Sequence, residues 1–276
     1  MTIPHPIAVH AYIDGMRVWF KRPLAPDEIA WLGQQCRAVP RDEQYIKLRR
    51  HPWPMRFNRS YVERYNIFQP TDEVLRWLAN RDGVHLSYAE ISLDWIFDDE
   101  VDKDYADRLF RSIIVKKHHG NQGISFDKGT RYTAARGAPN QIATYADLPC
   151  RITGEEYCLH IDWRISGSEA LRRAGIHSAN DLINFDYREF WRKRLILREI
   201  NYSALGRMLW NRGKQQKRRT EWVKTCGPIK YHVDRRRGYI AATALGSTQA
   251  VIDRFRKEIN VNRCLIPIDV EHLLPR

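Results

Sequence analysis

The sequence predicts an α+β fold: one antiparallel sheet built from two similar strand-helix-strand blocks with helices on one face, followed by a basic, mostly helical C-terminal region. Three observations lead to it. Two stretches alternate as strands do. Tyr157–Gly167 sets Leu159, Ile161, Trp163 and Ile165 against His160, Asp162 and Arg164, and His85–Trp95 sets Ile91, Leu93 and Trp95 against Glu90, Ser92 and Asp94. The order of patterns before residue 168 runs strand, helix, strands, twice over, which suits strands merging into one sheet covered on one side. The charge is also segregated. Of a net +13 over 276 residues, Arg188–Arg237 holds 16 Lys/Arg against 4 Asp/Glu, or +12. The expected division is therefore a sheet domain over 1–167 and a basic helical region over 168–276.

Composition narrows the class. Hydrophobic residues at 43% and charged residues at 29% are those of a globular protein able to bury a full core. No stretch approaches the ~20 apolar residues of a membrane span, and the N-terminus lacks a basic leader, so a cytoplasmic location is expected. The five cysteines (Cys36, Cys150, Cys158, Cys226, Cys264) show no CxxC pair. That spacing indicates neither a disulfide framework nor a zinc module, and the expectation is reduced, buried thiols.

In chain order, His10–Phe20 is extended around Asp14-Gly15, whose turn chemistry predicts a short hairpin. A helix follows from Pro26, with Asp27 and Glu28 in its first turn and Ile29, Leu32 and Cys36 at helical spacing. Arg37–Ser60 is broken by Pro40, Pro52 and Pro54 and reads as irregular, and Tyr61–Phe68 as a strand. Thr71 caps a second helix, with Val74, Trp77 and Leu78 buried and Gly83 ending the turn beyond it. After the Glu90 strand, Val101, Tyr105, Leu109 and Ile113 predict the buried stripe of a third helix, closed by His118-His119-Gly120. Arg131–Ala135 and Gln141–Tyr145 flank the turn residues Arg136–Asn140 as a hairpin leading to the His160 strand. Short helices then start at Ser168 and Ser178, a longer one spans Tyr187–Arg198, and Tyr202–Trp210 adds a further turn or two. Arg212–Thr220 is charged enough to predict a loop, Ala241–Ile259 a helix and Cys264–Val270 an extended segment.

The polar strand faces carry the chemistry. If both lie on one side of the sheet, Glu90, Asp94, His160 and Asp162 converge within reach of one divalent ion, and a set dominated by carboxylates suits Mg²⁺ or Mn²⁺. Such an ion beside a cationic arm fits a phosphodiester substrate, because each phosphate neutralised releases counterions. The expected DNA contacts are Arg164, Arg192, Arg198, Arg207, Arg212, Lys214, Lys217, Arg218 and Arg219, interleaved with Trp191, Trp210 and Trp222 for stacking. The nucleophile is water or a tyrosine. Tyr187 beside Arg188 and Arg192, and Tyr202 between Arg198 and Arg207, are the candidates.

The succession VHLSYAEISLDW, a helix, TRYTAARGAPNQIATYAD, LHIDWRISG and then a basic helical region resembles the replication initiation factor family of rolling-circle plasmids and filamentous phages, over roughly residues 84–212. The resemblance implies a DNA strand-nicking initiator acting on a single-stranded or hairpin origin, with a host helicase and a second copy of the chain as further partners. It places Glu90 and Asp94 on the first metal strand, Tyr145 in the hairpin, Asp162 in the position of the family's Glu, and Tyr202, ahead of Tyr187, as nucleophile. The departures are Tyr145-Ala146-Asp147 without the family's lysine, the shorter Asp162, Ala89 where a basic residue is common, and no His-hydrophobic-His pair. They leave open a non-catalytic nucleic-acid-binding regulator on the same fold.

Overall fold

The computed structural model describes residues 3–36, 38–39, 43–44, 63–115, 125–127, 129–134, 138–219, 248–257 and 259–276, with the side chains of 38–39, 43–44, 125–127 and 213–219 left aside. Its elements are β1 (Ala8–Phe20), α1 (Pro26–Gln35), β2 (Ala38–Val39), β3 (Glu43–Gln44), β4 (Glu63–Phe68), α2 (Asp72–Ala79), β5 (Val84–Ile96), α3 (Glu100–Ile113), β6 (Ser125–Asp127), β7 (Thr130–Tyr132), β8 (Asn140–Tyr145), β9 (Cys158–Ser166), α4 (Ser168–Arg173), α5 (Asn180–Ile183), α6 (Tyr187–Arg194), β10 (Arg198–Ile200), α7 (Tyr202–Arg219), α8 (Thr248–Phe255) and β11 (Leu265–Pro267). Among the described residues no helix is long and apolar enough to cross a membrane.

The fold is α+β. Seven antiparallel strands form one sheet in the order β4-β1-β5-β9-β8-β7-β6, so the two sequence blocks merge where β1 pairs with β5. The central β5–β9 register sets Glu90 opposite Arg164, Ser92 opposite Asp162 and Asp94 opposite His160, which puts the two polar rows on the same face. On the other face Ala89, Ile91, Leu93, Trp95, Leu159, Ile161 and Ile165 are all fully buried. There Trp163 meets Phe190 and Trp191 of α6 edge-on, with ring centroids 6.4 and 6.3 Å away, and the Trp95 indole N–H donates to the Leu273 carbonyl at 2.9 Å.

Several expectations change. His10–Phe20 is one continuous strand and no hairpin. Neither Asp14 nor Gly15 takes the positive φ that a two-residue turn demands. The β1–β5 register instead slips by one residue between Ile13 and Gly15, so Asp14 is the extra residue of a bulge. In α3, Val101 (74% exposed) and Tyr105 (37%) lie outside the buried side, which is made by Ala106, Leu109, Phe110 and Ile113. The predicted stripe advanced in steps of four residues. At 3.6 residues per turn each step drifts about 40°, so its first and last members sit about 120° apart. The helix predicted over Tyr187–Arg198 stops at Arg194, because Arg198–Ile200 pairs as β10 with β11. The Arg212–Thr220 loop is helical through Arg219, continuing α7. The expectations for residues 37, 40–42, 45–62, 116–124, 128, 135–137, 220–247 and 258 lie outside the described residues.

The chain forms two compact units, and the boundary differs from the expected one at 167. One comprises His5–Asp107, His119–Trp191 and Leu273–Arg276, so α4, α5 and the start of α6 belong with the sheet. The other comprises Met1–Pro4, Arg108–His118 and Arg192–His272. In it Ile200, Leu205, Val251, Ile252, Phe255, Val261 and Cys264 make a core beneath the β10–β11 pair, and the Thr248 hydroxyl donates to the Arg198 carbonyl at 2.8 Å.

Leu93→Ala, which empties a fully buried position of β5, is expected to lower stability by about 2–5 kcal/mol. Val101→Ala on exposed α3 surface should stay within about 0.5 kcal/mol. Urea unfolding of both variants checks the pair, and comparable losses would contradict this assignment of faces.

Candidate metal centre

The polar face of β5 and β9 is no solvated surface: Ser92, Asp94, His160 and Asp162 are at most 1% exposed. Charge buried that deeply has to be offset by partners, and the partners sort the expected residues into two groups. Asp14, Glu90 and Asp162 offer carboxylate oxygens that all lie within 4.8 Å of one another. Asp94 does not join them. Its Oδ1 lies 2.8 Å from His160 Nδ1, and its Oδ2 accepts from the Tyr12 hydroxyl at 3.1 Å and from the Cys150 thiol at 3.3 Å. The four residues expected around one ion are thus divided, and Asp14 stands where Asp94 was expected.

Asp14 reaches the cluster because the bulge carries it there. Its carbonyl accepts the Gln69 N–H at 3.0 Å and its Oδ1 the Gln69 side-chain amide at 3.3 Å. Gln69, 4% exposed, holds φ at 46°. That left-handed conformation is uncommon for a residue other than glycine and is kept only where its surroundings enforce it. Gly15 leaves room beside the site, since a Cβ there would stand 3.7 Å from Glu90 Oε2 and 3.4 Å from the Phe68 ring.

Two guanidiniums oppose the three carboxylates. Arg164 Nε donates to Glu90 at 2.8 Å and its Nη2 stands 3.7 Å from Asp162 Oδ2, while Arg151, from the segment between β8 and β9, pairs with Asp14. Tyr88 donates to Glu90 at 2.6 Å and Ser92 to Asp162 Oδ1 at 2.7 Å. The arrangement leaves Asp162 Oδ2 buried with no hydrogen-bond partner. A proton on Glu90 or a cation among the three carboxylates would satisfy it.

The electrostatics agree. Burial first, then the charge of Asp162, pushes Glu90 up to about 7. Burial likewise raises Asp14 and Asp162 above the ordinary carboxylate range, although Arg151 and Arg164 respectively pull them back. Such a set of oxygen donors fits a hard divalent ion, Mg²⁺ or Mn²⁺, held by Asp14, Glu90 and Asp162. Tyr12, Tyr88 and Tyr145 are raised by burial and then by neighbouring carboxylates, which keeps all three as neutral phenols.

At the Asp94 end the Tyr145 ring stacks on His160, with centroids 4.5 Å apart and 17° between planes, and His160 Nε2 lies 3.0 Å from the Leu148 carbonyl. Burial opposes a charge on His160, but the hydrogen bond and charge of Asp94 outweigh it and raise the imidazole above its usual range. The contact between the two thiols pushes Cys150 down and Cys158 up.

The remaining candidates sit elsewhere. Arg164 was expected on DNA, yet its charge is committed to Glu90 and Asp162. Tyr187 opens α6 with its ring 5.1 Å from Phe185, and Tyr202 opens α7 half-buried against the second unit's core. Arg192 and Arg207 are exposed, Arg198 and Arg212 partly so, and Lys214, Lys217, Arg218 and Arg219 lie on α7 with side chains outside the described set. The residues missed in the sequence are Asp14, Gln69 and Arg151. The signal for Asp14 was the strand-like run of Met16, Val18, Trp19 and Phe20 that resumes directly after the Asp-Gly pair.

Neither a family model nor a curated protein sequence matches the chain. Among solved structures it is similar to the rolling circle replication initiator protein from Geobacillus stearothermophilus, at 12% identity and a TM-score of 0.37, covering 70% of this chain and 88% of that one.

The Glu90 shift sets a pH dependence. Raised from 4.5 to about 7, the folded form binds this proton more tightly than the unfolded one. The resulting stabilisation is full below about pH 4.5 and is lost as pH rises through 7, on the order of 3 kcal/mol over the whole window. Without divalent ions, wild type should be less stable at pH 8 than at pH 5, and Glu90→Gln should remove a clear part of that difference in urea midpoints, the remainder following the raised Asp14, Asp162 and His160. Added Mn²⁺ should restore wild type at pH 8, where it has no proton to displace. A Glu90→Gln profile parallel to wild type would contradict the assignment.

Proposed function

We propose that this protein is a metal-dependent DNA strand-nicking replication initiator of the rolling-circle type. The observation that carries the reading is the cluster of three buried carboxylates, Asp14, Glu90 and Asp162, in which Asp162 Oδ2 lies 3.7 Å from the Arg164 guanidinium and receives no hydrogen bond from a fixed donor. The motif order over 84–212 and the +12 segment at Arg188–Arg237 support it. When bound by these carboxylates, Mg²⁺ or Mn²⁺ would supply Lewis-acid polarisation of a phosphodiester oxygen. Tyr202, or else Tyr187, supplies the attacking oxygen: the phenol loses its proton, its oxygen bonds to phosphorus, and the sugar oxygen leaves with a proton. The strand then ends in a phosphotyrosine. The neutral, buried Tyr12, Tyr88 and Tyr145 serve as hydrogen-bond donors in this reading.

A second reading, a nucleic-acid-binding regulator that does not cut, is favoured by one feature. Arg151 and Arg164 already pair with Asp14 and Glu90, which makes the cluster a near-closed ion network.

Incubation with single-stranded DNA pools and Mn²⁺, followed by a denaturing gel and mass spectrometry for a tyrosine adduct, separates the two. The nicking reading expects cleavage that chelation stops, that Asp162→Asn reduces at least ~100-fold, and that Tyr202→Phe abolishes while binding persists. Tyr187→Phe is the control, and loss in that variant alone would move the nucleophile to Tyr187. Tight binding without cleavage in Mn²⁺ would establish the regulator.

Binding itself should weaken steeply with salt. If 6 to 10 basic residues contact phosphates, affinity falls about 10³–10⁵-fold between ~50 and ~200 mM salt. Neutralising Lys214, Lys217, Arg218 and Arg219 together should flatten that slope, and an unchanged slope in fluorescence anisotropy would remove this segment from the interface.

A further inference from the structure

The other end of the polar face holds a donor set of different chemistry. Cys150 Sγ, Cys158 Sγ and an Asp94 oxygen lie within 4.8 Å of one another, and all three residues are fully buried. His160, also fully buried, brings Nδ1 to 2.8 Å from Asp94 Oδ1 and 3.8 Å from Cys158 Sγ. Its other nitrogen settles the tautomer. Nε2 lies 3.0 Å from the Leu148 carbonyl, which can only accept, so Nε2 carries a proton. Nδ1 is therefore the ring nitrogen open to a metal, and it faces the Asp94 carboxylate and the Cys158 thiol. An imidazole whose far N–H is anchored on a backbone carbonyl is also how metal-ligating histidines are usually oriented.

We propose that Asp94, Cys150, Cys158 and His160 bind a thiophilic divalent ion, zinc by preference. Two thiolates, an imidazole and one carboxylate are donors that select Zn²⁺ over Mg²⁺. With Zn–S about 2.3 Å and Zn–N or Zn–O about 2.0–2.1 Å, the edges of a tetrahedral site run about 3.3–3.8 Å. Cys150 Sγ to Asp94 Oδ2, at 3.3 Å, and Cys158 Sγ to His160 Nδ1, at 3.8 Å, match such edges, whereas His160 Nδ1 and Asp94 Oδ1, at 2.8 Å, stand at hydrogen-bond distance and must part for the ion to enter between them. The ion's role is structural. It would tie the segment between β8 and β9 onto β5 and β9, and that segment also carries Arg151, the partner of Asp14. Nicking and DNA binding are not premises of this site.

The test uses the full chain, purified under reducing conditions without chelator. Elemental analysis should find one zinc per chain, and Co²⁺ exchanged into the protein should show thiolate-to-cobalt charge-transfer and intense tetrahedral d–d bands. Cys150→Ser and Cys158→Ser should each lose the metal and the bands, whereas Cys264→Ser and Asp162→Asn keep both. If the cysteine variants fail to fold, alkylation of wild type decides: zinc should protect Cys150 and Cys158 from iodoacetamide and a zinc chelator should expose them. A Cys150–Cys158 disulfide in the isolated protein, full metal retention by either cysteine variant, or alkylation indifferent to zinc and chelator would each overturn the proposal.

Discussion

Asp14, Glu90 and Asp162 are each at most 6% exposed, and charges held that far from water cost several kcal/mol apiece unless counter-charges and hydrogen bonds offset the loss. Much of the local structure follows from that constraint. Arg164 comes from the strand position opposite Glu90, and Arg151 from the segment between β8 and β9. Tyr88 and Ser92, on the same strand as Glu90, turn their hydroxyls onto the carboxylates. Gln69 holds a left-handed backbone while bonding both the carbonyl and the side chain of Asp14. With two guanidiniums against three carboxylates one negative charge is left unbalanced, and that shortfall appears as the raised Glu90 and as an Asp162 oxygen without a fixed hydrogen-bond donor.

One sheet face therefore carries two donor sets of opposite character. At the Glu90 end all the donors are carboxylate oxygens, which suit hard cations. At the Asp94 end two sulfurs and an imidazole join one carboxylate, which suits soft ones. The strand register keeps them apart, because Asp94 pairs with His160 two positions away from the Ser92–Asp162 pair. Each Asp94 oxygen is occupied within its own group, so Asp94 and Asp162 share a face without joining one donor set.

The charge of the chain divides in a similar way. Arg164 of β9 and Arg151 of the segment before it spend their charge on carboxylates, whereas the excess lies in Arg188–Arg237. On α7 that excess is carried by a continuous helix through Arg219, so the spacing of its basic residues follows helical rather than extended geometry. A run this rich in cations is helical because Lys, Arg and Gln are good helix formers that lose little rotamer freedom there.

Local alternation was enough to read the sheet. Period two over Ile91–Trp95 and Leu159–Ile165 identified the buried stripes and the polar row opposite each, because a strand's side chains have only two directions to take; the β5–β9 register then put both polar rows on one face. The basic C-terminal segment was equally legible, since charge counts need no geometry. What alternation could not convey was which members of a row touch which partners. Asp14 looked like a turn residue because Asp-Gly is turn chemistry in isolation, and only its pairing with β5 made it a bulge that delivers a third carboxylate. Cys150 and Cys158 looked like scattered thiols because they are eight positions apart in a sequence without a ligand motif. They become neighbours only when the intervening segment folds back, with Cys150 N–H donating to the Glu155 carbonyl. Faces are a property of the local backbone and can be read one strand at a time. Convergence depends on register, bulges and returning loops, which pair residues 56 to 148 positions apart, as Cys150 meets Asp94 and Asp162 meets Asp14, and those distances are decided only in the folded chain.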